Sequence, residues 1–157
     1  MINASLKEIK NELKILQPDQ LIELCLHLTK YKKENKELLA YLLFESHDEE
    51  LYVRNVKLLI DKEFELVSKS NLFHAKKTVR KILRITNKYI KYSKLKTTEA
   101  ELLIYFCKKL KKTGIPLHST TAIGSLYFRQ MLKIQKTIAA LHEDLQYDFL
   151  QEINETL

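Results

Sequence analysis

Glycine, proline, cysteine and tryptophan are nearly missing from this chain. Its 157 residues hold two glycines, two prolines, two cysteines and no tryptophan. Sheets need glycine where hairpins and βα loops turn through positive φ, and two glycines cannot supply those turns. The same scarcity excludes a collagen-like or low-complexity chain, and two cysteines exclude a disulfide framework. Long apolar runs are also missing. Stretches such as Leu38–Phe44 and Leu102–Cys107 fall far short of the roughly 20 residues that span a bilayer. No unbroken apolar segment of secretory type opens the chain, so the expected location is cytoplasmic. Cys25 and Cys107, which sit among core-type residues, are expected as two buried, reduced thiols.

What is present is helical pattern. Hydrophobic residues make up 45% and charged residues 30%, an ordinary balance for a globular chain. The length suits one domain over residues 1–157. Ser5 and Glu8 have capping-box spacing, and Leu6, Ile9, Leu13 and Leu16 then form an apolar stripe. Pro18 ends that helix and opens a second, with Leu21, Leu24, Cys25 and Leu28 inward. Asn35 is the expected cap of a third. Asp48, followed by Glu49 and Glu50, marks the start of a fourth, with Leu51, Val53, Val56, Leu59, Ile60 and Phe64 as its core. Ser68–Asn71 reads as a polar turn before a fifth helix from Leu72 to about Tyr92. Thr97 or Thr98 caps a sixth, which stops at Gly114 and Pro116. The chain turns helical again from Ser119, and no glycine or proline marks a break between Lys133 and Glu143. The expected fold is all-α. Seven or eight antiparallel helices would form a compact bundle or a short solenoid-like stack of helical hairpins.

The opening segment also carries a resemblance. Leu6-x-x-Ile9 and Leu13-x-x-Leu16, followed by Pro18-Asp19-Gln20-Leu21-Ile22-Glu23-Leu24, resemble the start of a bacterial family of all-helical domains of unknown function. The likeness covers about the first 45 residues. It implies a helical fold and no chemistry.

Catalytic patterns are sparse. The histidines (His27, His47, His74, His118, His142) never pair at i+3 or i+4, so no HExxH or Glu-x-x-His motif is formed. His47-x-x-Glu50 falls at a helix junction and reads as solvated. Cys107 shares a stripe with Leu103 and Leu110 and reads as an inert thiol. Ile123-Gly124-Ser125 lacks the second glycine of a nucleophile elbow, and Gly124 is expected to allow close helix–helix approach. Asp144 and Asp148 share an exposed acidic face. No metal or cofactor is expected, and the leading class is non-enzymatic.

Charge is the one unevenly placed feature. The chain carries +7 overall, yet residues 66–98 hold ten basic residues and no acidic one. At 100° per residue, Lys77, Arg80, Lys81, Arg84, Lys88 and Lys91 share a sector about 100° wide. Val79, Ile82, Leu83, Thr86 and Ile90 fall opposite, with Leu83 expected to be buried at the middle of the helix. Three readings follow. The stripe is a solvated face neutralised by carboxylates such as Glu45, Asp48, Glu49 and Glu50; or it meets nucleic acid without reading sequence; or it meets an acidic protein or membrane surface. The reading carried forward is a helical binding or scaffolding domain whose six cations face an anionic partner. A nonspecific nucleic-acid binder is the alternative, and an enzyme with a site invisible in sequence comes third.

Overall fold

The structure, a computed structural model, describes residues 3–68 and 70–156. Lys69, part of the expected polar turn, lies outside them. The described residues form eight α-helices and no strand: α1 (Leu6–Ile15), α2 (Pro18–Tyr31), α3 (Lys33–Ala40), α4 (Glu49–Glu65), α5 (Leu72–Ser93), α6 (Lys96–Lys112), α7 (Ala122–Ile138) and α8 (Glu143–Thr156). The fold class is all-α. The chain groups into two compact units, residues 1–44 and 45–157.

In the first unit, local signals set the helix ends. The Ser5 backbone N–H donates to the Glu8 carboxylate at 2.7 Å, and the Glu8 N–H donates to Ser5 Oγ at 3.3 Å. Pro18 occupies the first position of α2. Asn35 does not cap α3, which starts two residues earlier; its side-chain amide donates to the Leu28 carbonyl instead. α3 then widens into a π-helical turn, Tyr41–Glu45. The expected core stripes of α1 and α2 are a correction. No residue of α1, α2 or α3 is buried, and Leu6 is 85% exposed. α2 packs on α3, but two short helices shield only their facing sides. Cys25, expected to be buried, is exposed.

The second unit is a helical bundle built around α6. α4, α5 and α6 pack on one another, α7 lies along α6, and α8 rests on α6 and α7. Side-chain pairs fix the directions. Residues 57 and 61 of α4 meet 101 and 105 of α6, so these helices run parallel. Residues 52 and 63 meet 89 and 81, so α5 runs antiparallel to both. Leu102, Leu103, Ile104, Phe106, Cys107 and Leu110 are all 0% exposed. Val53, Val56 and Ile60 of α4, Val79 and Ile82 of α5, and Ile123 and Ile134 of α7 are buried too, on helices that pack against α6. The Phe64 and Phe106 rings meet at a tilt of 51°, their centroids 5.6 Å apart.

Some inward assignments shift. In the first turn of α4 Tyr52 is buried, its hydroxyl donating to the Tyr89 carbonyl at 2.9 Å, while Leu51 is exposed. On α5 the buried face centres on Ile82 and Thr86, and Leu83 is half-buried at its edge. Thr98 does not cap α6. The helix begins at Lys96, and the buried Thr98 hydroxyl donates to Glu49 at 2.5 Å. On α7, Phe128 and Leu132 face solvent. The break left open in sequence falls at residues 139–142. There the Ala140 and Leu141 N–H groups turn back to the Thr137 and Ile138 carbonyls, and Glu143 and Asp144 favour a new helix N-terminus.

Two backbone positions carry tight demands. Gly114 adopts φ +75° just past α6, where a left-handed residue ends a helix. Gly124 lies in the first turn of α7, and a Cβ there would stand 1.9 Å from the His118 carbonyl oxygen. The close approach is thus to the preceding loop and not to another helix. Thr121 fixes that loop by accepting the Gly124 N–H at 3.0 Å and donating to the same His118 oxygen at 2.9 Å. Gly124→Ala should therefore cost about 1–3 kcal/mol in urea denaturation, because backbone must move to admit one methyl. Lys94 ends α5 at φ +62°, a conformation that strains a side-chain-bearing residue. Lys94→Gly should raise stability by about 0.5–1 kcal/mol in the same assay.

Candidate anion-binding face

α5 owes its place to its own two faces. Asn71 caps it, accepting the Phe73 and His74 N–H groups at 3.1 Å each. Ala75, Val79, Ile82, Thr86 and Ile90 are buried. Thr86 satisfies its hydroxyl within the helix, donating to the Ile82 carbonyl at 3.0 Å. Burial of this face turns the opposite sector outward.

Five of the six cations singled out in the sequence are exposed there: Lys77, Arg80, Lys81, Arg84 and Lys91. Lys88 is half-buried, with its Nζ 4.7 Å from the Tyr89 ring centroid. Lys77, Arg80, Lys81 and Arg84 line one shallow concavity of about 320 Å³. Lys91 lies further along the helix, about 21 Å from Lys77 at 1.5 Å per residue.

Of the carboxylates expected to neutralise this face, Asp48, Glu49 and Glu50 each have another partner. Asp48 caps α4 by accepting the Leu51 N–H at 3.0 Å. Glu50 pairs with Arg54 at 3.2 Å, and Glu49 accepts the hydroxyls of Ser93 and Thr98. Asp61 is held by Lys109 at 2.7 Å and by the Tyr105 hydroxyl. Glu101 holds Lys57. Glu63 does reach the stripe, meeting Lys81 at 2.8 Å. Among the described residues, Lys77, Arg80, Arg84 and Lys91 have no carboxylate partner. Like charges three and four residues apart on a helix repel by about 0.2–0.5 kcal/mol per pair, and a bound anion would relieve that.

Two features beside the stripe escaped the sequence reading. Phe73 stands one turn before Lys77, exposed, with Lys77 Nζ 4.6 Å from its ring centroid. Its only sequence signal is its i−4 position from Lys77. Phe73, Leu72, Lys76, Ile115, Pro116 and Ile123 also line an apolar pocket of about 360 Å³. In the first unit, Cys25, Leu28, Leu38, Leu39 and Leu42 line a second apolar groove, of about 300 Å³.

The other polar clusters are structural. Tyr105 lies between Lys57 and Lys109, each 5.3 Å from its ring centroid, and donates to Asp61 at 2.7 and 2.8 Å. Burial, reinforced by Asp61, raises the Tyr105 pKa, and the bond to Asp61 raises that of Lys109. Both stay protonated. Burial pushes the Cys107 thiol up to about 12, so it is not a thiolate at neutral pH. No three His, Cys, Asp or Glu side chains among the described residues gather as a metal-holding group. No described helix is long and apolar enough to cross a membrane. Comparison with protein-family models, curated proteins and solved structures finds no match for this chain.

Glu99 ties α6 to α7. Its carboxylate receives Lys96 at 2.7 Å and Lys133 at 2.9 Å. Burial works to raise its pKa, but the two lysines prevail and hold it below the ordinary 4.5. A carboxylate lowered on folding adds stability above its unfolded pKa and loses it as pH falls through the folded value. Glu99→Gln should thus destabilise by about 1–2 kcal/mol near neutrality. Urea titrations at stepped pH should show that gap constant above pH 5 and closing below 4.5.

Proposed function

We propose that this chain is a non-enzymatic helical binding or scaffolding domain whose α5 presents a basic face to an anionic partner. The observation that carries the reading is the concavity formed by Lys77, Arg80, Lys81 and Arg84, in which Lys81 alone has a carboxylate partner. The buried opposite face supports a rigid docking surface. α5 cannot leave the bundle to insert elsewhere without exposing Val79, Ile82 and Ile90. The perturbed titratable groups support a role without catalysis. Cys107 and Tyr105 are shifted towards their protonated, less nucleophilic forms, where a catalytic group needs a pKa near working pH.

The test uses two labelled polyanions, poly-glutamate and a short single-stranded oligonucleotide, followed by anisotropy at several salt concentrations. Wild type should bind at least one of them at low salt, with affinity falling linearly in log–log salt. Reversing three unpaired cations (Lys77→Glu, Arg80→Glu, Arg84→Glu) should weaken that binding at least about tenfold. It should also flatten the salt slope by about three. These side chains are exposed, so the variant should keep its unfolding midpoint within about 1 kcal/mol. Absence of binding to both polyanions, or binding that ignores the reversals, would overturn the reading.

A further inference from the structure

The basic face does not end in solvent at its N-terminal edge. Phe73, Lys77, Arg80 and Arg84 follow one another at steps of four, three and four residues, so they share one line along α5. Lys77 joins two concavities. It lines the basic one, and its ammonium sits 4.6 Å from the ring of Phe73, which lines the apolar pocket. That pocket is walled by Leu72, Phe73, Ile115, Pro116 and Ile123, with Lys76 as its one charged side chain. Phe73 and Leu72 are 64% and 57% exposed. An apolar hole opening onto a row of unpaired cations asks for a ligand that is apolar at one end and anionic along its length.

We infer that the partner of this face is an acidic helical segment carrying a bulky apolar side chain, which fills the Leu72–Phe73–Ile115–Pro116 pocket while its carboxylates run along Lys77, Arg80, Arg84 and Lys91. This rests on the basic-face reading above and names the partner's chemistry. Charge complementarity argues for the carboxylates, since α5 has no acidic residue and its cations recur at helical spacing. A partner helix repeats its side chains at the same spacing. The pocket argues for hydrocarbon over a nucleobase. A base needs hydrogen-bond partners at its edges or a flat aromatic platform. Here the walls are mostly aliphatic, and the one ring in them, Phe73, already carries the Lys77 ammonium.

The probe is a labelled alanine–glutamine helix with one phenylalanine and, beginning one turn later, four glutamates three or four residues apart. A second peptide replaces its phenylalanine with alanine, and a single-stranded oligonucleotide serves as the third ligand. Anisotropy is read against wild type, Phe73→Ser and the triple reversal Lys77→Glu, Arg80→Glu, Arg84→Glu. Phe73 is exposed, so Phe73→Ser should leave folding intact. The phenylalanine peptide should bind wild type at least about tenfold more tightly than the alanine peptide. Phe73→Ser should remove most of that difference while leaving the alanine peptide's affinity unchanged. The triple reversal should weaken both peptides. If the two peptides bind alike through the cations, the anchor pocket is wrong and the basic-face reading stands. If the oligonucleotide binds through the cations and neither peptide does, the partner is nucleic acid and this inference falls alone. If no anion binds, both readings fall together.

Discussion

The burial of α6 is the constraint on which the second unit depends. From Leu102 to Leu110 its large apolar residues lie wholly out of water, with Tyr105 and two lysines at the edge. Such a helix needs neighbours on several sides, and α4, α5 and α7 supply them. Each neighbour then has one face committed. For α5 the committed face is Val79, Ile82, Thr86 and Ile90, and the direction of its cations follows from helical geometry. The basic face is therefore a consequence of core packing. It needs no fixing contact of its own.

Why that face keeps its charge is a question of allocation. The carboxylates of α4 and α6 that the core brings together meet other donors. Asp61 is shared by Tyr105 and Lys109, Glu101 takes Lys57, and Glu99 lies between Lys96 and Lys133. Apart from Lys96–Glu99 within α6, these links cross helix interfaces at half-buried sites, where a charge pair is less screened than on open surface. Glu63 turns to the stripe and engages Lys81. α8, which carries acids and no base, rests on α6 and α7.

Much of this architecture is legible in sequence, and the failures have identifiable causes. Ser5 with Glu8, Pro18, Asp48 and Gly114 mark their boundaries because each acts through its own backbone neighbourhood. Thr98 misleads because its hydroxyl finds Glu49, 49 residues away, in place of a local N–H. Asn35 misleads likewise by turning to Leu28. Leu51 and Leu83 lie one step off the buried faces, at a margin where 3.6-residue periodicity does not discriminate. The α1 and α2 stripes show amphipathic pattern without burial, since pattern fixes which side is apolar but not what covers it. The stripe on α5 is visible as spacing alone. Which of its cations remain unpaired depends on carboxylates 18 or more residues away, which no local pattern encodes.

The central claim is that Lys77, Arg80, Arg84 and Lys91 of α5 have no carboxylate partner among the described residues, while the lysines bridging α4 and α6 do. Acetylation of lysines under single-hit conditions, read residue by residue by mass spectrometry, tests it most directly. Lys77 and Lys91 should react at close to the rate of lysines in the urea-unfolded chain. Lys109, which Asp61 holds in its charged form at 2.7 Å, and Lys57, bound to Glu101, should lag well behind. Protection of Lys77 and Lys91 equal to that of Lys57 and Lys109 would mean the stripe is covered, and the account of this face would be wrong.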